Sequence, residues 1–282
     1  MQNILLMLKR VIKYFTPPIV FALKHKLSNR GNVNHFRGDF LTWDEAKIQT
    51  EGYDSKRLLH KIIDANRKVK LDSNKFERDS IIFSTPQLLP SLNSYLLLAY
   101  ALHKSSSNFT VLDFGGSLGT VYRQFKYFTK GSIKIKWVIV EQTEIVNVGN
   151  DEFKNDELSF LDTNSWKPSQ LNVDLIIVSS VLEFCEEPEK IINEFKNTNA
   201  KYLILDRTPV WGAGRNVLTI CTAAKYISGS YPCWIFSEPK IKHLLTQHWE
   251  IIGEWDALGS DIVFSRGKAK YKGQCWKKRS TT

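Results

Sequence analysis

The sequence predicts an α/β fold in which helices cover both faces of a mostly parallel sheet. Three observations carry this expectation. Between residues 109 and 205, strand-length apolar runs alternate with helix-length segments, the rhythm of successive βαβ units. The run Leu175-Ile176-Ile177-Val178 is apolar at every position, as a strand buried on both faces must be. The first run also enters a glycine-rich turn, Gly115-Gly116-Ser117-Leu118-Gly119, that opens a helix. With 43% hydrophobic and 24% charged residues in 282, the chain is neither a disordered, a collagen-like nor a multi-span membrane sequence.

Near the start, Ile4, Leu5, Leu8, Val11, Ile12 and Phe15 recur at three- and four-residue steps, which predicts an amphipathic helix over 3–15 flanked by Lys9, Arg10 and Lys13. It ends at Pro17-Pro18 and is too short for a signal-peptide core or a transmembrane helix. Residues 36–53 read as irregular and aromatic, and helices are expected over 55–69 and about 86–104. The alternation then predicts strands at 109–114, 133–140, 158–161, 173–179 and 202–205, with helices at 120–128 and 188–195. After an irregular stretch at 208–236, a helix at 237–247 leads to strands at 249–255 and 261–265. The short loop between these last two predicts that they pair antiparallel. The resulting division is an N-terminal helical extension (1–85), the α/β domain with an insertion at about 208–236 (86–265), and a basic C-terminal tail (266–282).

The net charge of +10 is unevenly placed. Residues 1–30 hold six basic side chains and 266–282 hold seven, neither with an acid, so the middle carries −3. The near-neutral middle weakens a nucleic-acid reading, because a tracking groove concentrates Lys and Arg around the site. Basic ends, the first amphipathic, suit an anionic membrane surface instead. Cys185, Cys221, Cys233 and Cys275 are 36, 12 and 42 residues apart, so no disulfide framework or metal site is expected. The chain reads as cytoplasmic, with an option of peripheral contact at the inner membrane face.

The segment Asp113-Phe114-Gly115-Gly116-Ser117-Leu118-Gly119 lets backbone N–H groups and a helix N-terminus approach a polar ligand. Its glycines do not fit G-x-G-x-x-G, which ranks a nicotinamide oxidoreductase low. Glu141 ends the second strand, 28 residues after Asp113, where a carboxylate can accept from ribose hydroxyls. Asp162 ends the third strand and either meets an adenine amino group or serves its polar turn. Ser179, Ser180 and Glu183 follow the fourth strand, at the edge where open α/β sheets bind ligands.

Asp113 with Gly115, Ser117 and Gly119 resembles the D-x-G-x-G-x-G pattern of class I S-adenosylmethionine-dependent methyltransferases, with Ser117 at the middle glycine. That resemblance spans about 86–265 and implies a Rossmann-like, seven-stranded sheet ending in an antiparallel pair. A closer resemblance, to a bacterial methyltransferase family found with lipopolysaccharide and surface-polysaccharide synthesis, rests on four further segments. These are Trp43-Asp44-Glu45-Ala46, Gly52-Tyr53-Asp54, Asp206-Arg207-Thr208-Pro209 and Ser230-Tyr231-Pro232-Cys233-Trp234-Ile235-Phe236. It implies S-adenosylmethionine as cofactor, held by Asp113, Gly115, Gly116, Ser117, Gly119, Glu141, Asp162 and Ser179, and a saccharide or lipid-linked saccharide as acceptor. On the acceptor side, Glu183 is the candidate general base and Arg207 the candidate partner of an anionic acceptor. Glu183 capping a helix, and Arg207 pairing with Asp206 or Glu238, are the structural alternatives. Tyr231, Trp234 and Phe236 suit either a sugar-stacking wall or a small core. Two other functions stay open: an RNA methyltransferase, and a non-catalytic cofactor-binding scaffold at the membrane.

Overall fold

The computed structural model describes residues 34–50, 55–72, 74–84, 90–103, 109–222, 229–259 and 261–279. The expected helix at 3–15 and the segment Gly52-Tyr53-Asp54 lie outside the described residues. In chain order the elements begin with β1 (His35–Phe40), α1 (Trp43–Ile48), α2 (Ser55–Leu71), β2 (Phe76–Arg78), β3 (Ile81–Phe83) and α3 (Pro90–Leu102). There follow β4 (Thr110–Phe114), α4 (Thr120–Phe128), β5 (Lys136–Glu141), α5 (Thr143–Val148), β6 (Leu158–Asp162), β7 (Leu175–Ser179) and α6 (Pro188–Lys196). The last elements are β8 (Tyr202–Trp211), β9 (Val217–Thr222), β10 (Ser230–Ser237), α7 (Glu238–Thr246), β11 (Trp249–Asp256), β12 (Ile262–Phe264) and β13 (Gly267–Lys278).

Strand periodicity divides the core in two. Val111, Trp137, Ile139, Ile177 and Ile204 face one side, where Ile63 of α2, Leu92 and Leu96 of α3 and Phe125 of α4 cover them. Their chain neighbours Leu112, Val140, Ile176, Val178, Leu203 and Leu205 face the other, under Ile192 and Phe195 of α6 and Ile241 and Leu245 of α7. Both faces of each central strand are therefore buried, which accounts for the unbroken apolar runs. Local signals set the helix starts. Thr42 accepts from the Glu45 N–H while the Glu45 carboxylate accepts from Thr42, closing a capping box on α1, and the Ser237 hydroxyl caps α7.

Among the described residues the main sheet has eleven strands rather than the expected seven. Seven form the run β6-β5-β4-β7-β8-β13-β11, parallel from β6 to β8 and antiparallel beyond. The other four are β1, β9 and β10, which pair antiparallel and join β8 through Phe236 and Ser237, and β12. The described part of the expected irregular insertion at 208–236 thus carries the end of β8, then β9 and most of β10. The expected helical extension is also corrected: its described part carries β1 and the hairpin β2–β3 besides α1 and α2.

A third correction concerns the end of the chain. The strands at 249–255 and 261–265 were expected to pair with each other, and 266–282 to be a basic tail. Instead β11 and β12 both pair with β13, which lies between β8 and β11. Its Ala269, Cys275 and Trp276 are buried while Lys268 and Lys270 are exposed. Lysines at alternate positions are the outer face of a strand.

One irregularity shapes the site. Against β13, residues Asp206 and Arg207 stand opposite the single residue Gly273, so β8 bulges there. Arg207 takes a left-handed φ of 52°. Trp255 closes the bulge from β11: its indole lies where a side chain on Gly273 would stand, 1.9 Å from an ideal Cβ, and its Nε1–H donates to Asp206 Oδ1 at 2.9 Å. The Tyr95 ring of α3 stacks on Trp255 at 5.0 Å.

Candidate functional site

Strand order reverses between β4 and β7, and open α/β sheets hold ligands in the crevice outside the carboxyl ends of such a strand pair. The glycine-rich turn fills one wall of that crevice. Gly115 has a φ of 70° and an ideal Cβ there would lie 2.3 Å from Val181 Cγ2; one on Gly116 would lie 2.5 Å from the Asp113 carboxyl carbon. The turn therefore excludes side chains at both positions while the chain passes over a buried acid. Asp113, 1% exposed, accepts from Trp137 Nε1 at 3.1 Å. Burial, opposed by that hydrogen bond and reinforced by Glu141, pushes its pKa up to about 7. Gly119 caps α4 with no side-chain hydrogen bond, so the first turn of α4 has no capping side chain of its own.

Ser117, at the position of the middle glycine, takes a left-handed φ of 53° and donates its N–H to Glu141 Oε1 at 3.2 Å. Gln142 N–H donates to Glu141 Oε2 at 2.9 Å. Both carboxylate oxygens are thereby fixed at the crevice, and each keeps a second lone pair for a hydroxyl donor. Burial raises the Glu141 pKa against these two hydrogen bonds. Asp162 is the cross-strand neighbour of Glu141, but its side chain accepts from the Thr143 hydroxyl and from Asn164 N–H at 2.7 Å, which hold its pKa low. The structure gives Asp162 the work of a turn residue.

Across the crevice, β7 and β8 end side by side, with Ser179 opposite Asp206. Ser179 Oγ donates to Asp206 Oδ2 at 3.2 Å, so the serine braces the bulge. Ser180, at a left-handed φ of 53°, donates its hydroxyl to Glu183 Oε1 at 3.2 Å. Glu183 is 1% exposed and its Oε2 is buried with no hydrogen-bond partner. Burial raises its pKa to about 7, opposed first by a hydrogen bond from its own backbone N–H and then by the charge of Arg207 and the Ser180 hydrogen bond. It does not cap the following helix, whose N-cap is Glu187.

The Arg207 guanidinium hydrogen-bonds to neither Asp206 nor Glu238, although the Arg207 backbone N–H donates to the Asp206 carboxylate. Its Nη1 and Nη2 donate to Asp79 Oδ1 and Oδ2 at 3.2 and 2.7 Å, a bidentate fork. Burial alone would lower the Arg207 pKa, but Asp79, Asp206 and Glu183 raise it; in return Arg207 holds the Asp79 carboxyl below its usual range despite desolvation. Asp79 sits in the turn of the β2–β3 hairpin, 128 residues from its partner. The only local sign of it is an Asp-Ser pair between short apolar runs. Of the three aromatic candidates, Trp234 donates to Cys185 O at 3.1 Å and stacks on Trp43 at 6.4 Å, Phe236 is core, and Tyr231 meets Phe184 edge-on at 4.9 Å. Among the described residues, no group of three or more His, Cys, Asp or Glu could hold a metal ion.

Fold and site together define a doubly wound α/β protein with an acid-lined, glycine-walled crevice at its switch point. No family model and no curated protein matches the sequence. Among solved structures, the chain is similar to the N-terminal domain of EvdMO1 in the presence of SAH and D-fucose, with a TM-score of 0.48 and 13% identity over 80% of this chain and 97% of that one. It is also similar to the Burkholderia thailandensis 1,6-didemethyltoxoflavin-N1-methyltransferase with bound 1,6-didemethyltoxoflavin and S-adenosylhomocysteine (TM-score 0.39, 16% identity, 67% of this chain, 77% of that). A third is the glycopeptide N-methyltransferase MtfA complexed with S-adenosylmethionine (TM-score 0.40, 8% identity, 64% of this chain, 93% of that).

Proposed function

We propose that this chain is an S-adenosylmethionine-dependent methyltransferase acting on a hydroxyl of a saccharide or lipid-linked saccharide in bacterial surface-polysaccharide synthesis. The observation that carries the cofactor is the cradle formed by Gly115, Gly116 and the fixed Glu141 carboxylate: two positions where a Cβ has no room beside an acid whose free lone pairs suit two ribose hydroxyls. Asp113 lies beneath the turn, its carboxyl where a side chain on Gly116 would stand, and the backbone at 115–119 would hold the amino-acid end of the cofactor. When bound, S-adenosylmethionine would supply an electrophilic sulfonium methyl group for transfer to an acceptor oxygen, with S-adenosylhomocysteine as the leaving group. The protein aligns the two partners and excludes water. Glu183, ionised above about pH 7, takes the hydroxyl proton.

Calorimetric titration with S-adenosylhomocysteine tests the reading. The native chain should bind it, and Gly115→Arg and Glu141→Ala should each weaken binding by about tenfold or more, as expected for a blocked cradle and lost hydroxyl acceptors. No binding by the native protein at millimolar ligand refutes the proposal.

A further inference from the structure

We infer that the acceptor side of the crevice recognises an uncharged hydroxyl, as on a neutral sugar, through two buried atoms without a partner in the protein, Arg207 Nε and Glu183 Oε2, and that Asp79 disfavours anionic acceptors there. The inference rests on the methyltransferase reading of the same site and deepens it by naming the acceptor class.

An arginine at a ligand site normally reads a carboxylate or phosphate with its forked Nη groups. Here both Nη groups are taken by Asp79, which also matches the guanidinium charge. Asp79 is held in place from two sides. It and Ser80 have φ values of 52° and 64°, the two left-handed residues of a tight hairpin turn. Glu77, in the same hairpin, accepts from Ser80 N–H at 2.8 Å and from the Thr120 hydroxyl at the start of α4. The hairpin is therefore pinned to the helix that follows the glycine-rich turn, and the Asp79 fork is anchored to the cofactor wall.

Left without a hydrogen-bond partner on these two side chains are one N–H donor, Arg207 Nε, and one carboxyl oxygen, Glu183 Oε2. Both are desolvated without compensation, and such atoms are costly unless a ligand completes them. A hydroxyl does so with both of its functions, accepting from Nε–H and donating its proton to Oε2. A carboxylate or a fully ionised phosphate has no proton for Oε2, and it would face three acids, Glu183, Asp206 and Asp79, against the two guanidinium charges of Arg207 and Arg78, the latter 3.7 Å from Asp79. Asp79 is thus a positioning residue: it acts through Arg207, turning a general anion receptor into a single-donor site.

The test uses the full chain saturated with S-adenosylhomocysteine and a matched pair of probes at pH 8, methyl β-D-glucopyranoside and its hexuronate counterpart, with binding followed by ligand-detected NMR. The native protein should prefer the neutral glycoside by about tenfold or more, the scale of a like-charge penalty. Asp79→Asn frees the fork and should shift the ratio of hexuronate to neutral-glycoside affinity toward the hexuronate by a similar factor. A merely structural role for Asp79 would weaken both probes alike. The native comparison decides by itself if the variant fails to fold: equal or tighter binding of the hexuronate, or binding of neither probe to cofactor-loaded protein, overturns the inference. Failure to bind S-adenosylhomocysteine in the first place overturns it together with the methyltransferase reading.

Discussion

A carboxyl group as enclosed as Glu183 keeps its proton to about pH 7, because burial penalises the charged form more than its own backbone N–H, Arg207 and Ser180 stabilise it. Its folded pKa is therefore raised. The stability this confers is fully present below the unfolded value near 4.5 and is lost as pH rises through about 7. Glu183→Gln, which cannot ionise, should gain up to about 3 kcal/mol on the native protein between pH 4.5 and pH 8, read from thermal melts at both pH values. Asp113 titrates in the same range, so the difference between variant and native isolates Glu183. With a competent acceptor, native turnover should climb through pH 7, whereas the variant should be flat and about 100-fold slower. An unchanged profile would remove Glu183 as the base. The residues whose place was legible are those positioned by neighbours in the chain: Asp113 beneath its own turn, Glu141 at a strand end. Asp79 and Trp255 were not legible, because each acts on a partner far along the chain, at 128 residues and 49 residues.

The elements read from the sequence with least displacement were the central strands and the helices between them, α4 falling on 120–128 as expected. Their patterns are set by burial on two faces or on one stripe, and no partner strand is needed to recognise them. The flanking strands lacked such a signature. Pro232 argues against a strand in β10, yet there β10 pairs only with β9 and joins β8 only at Phe236 and Ser237, an edge position that tolerates proline. In β13 the alternate spacing of the lysines, not their charge, is the informative property. Gly273 matters most in that strand. Gly273→Ala should displace the Trp255 indole and slacken the bulge, costing about 1–3 kcal/mol as an overpacked site does. Denaturant melts measure that cost, and a change in Trp255 fluorescence reports the displacement; a variant with native stability and emission would show that the bulge does not depend on this contact.

At the scale of the whole molecule, the basic residues from 266 onward are largely engaged within the fold. Arg266 pairs with Asp39, Lys272 lies 3.9 Å from Glu238 and Lys277 3.8 Å from Glu250, while Lys278 and Arg279 donate to carbonyl groups. Among the described residues no helix is long and apolar enough to cross a membrane. Any attraction to an anionic membrane then rests on residues 1–30, with their six basic side chains. Flotation with vesicles containing anionic lipid should therefore show salt-sensitive binding that is lost on removing 1–30 and little altered by Lys268→Gln with Lys270→Gln; the reverse pattern would return the role to β13. The position of β13 has a further consequence during synthesis. Strand β8 is complete once Trp211 is made, but the partner for its outer edge is not available until residues 267–278 have left the ribosome. For that interval the nascent chain presents an unpaired apolar strand edge, the kind of surface that chaperones cover and that aggregates form on. Slow elongation late in the message should thus harm the yield of this protein more than slow elongation early in it.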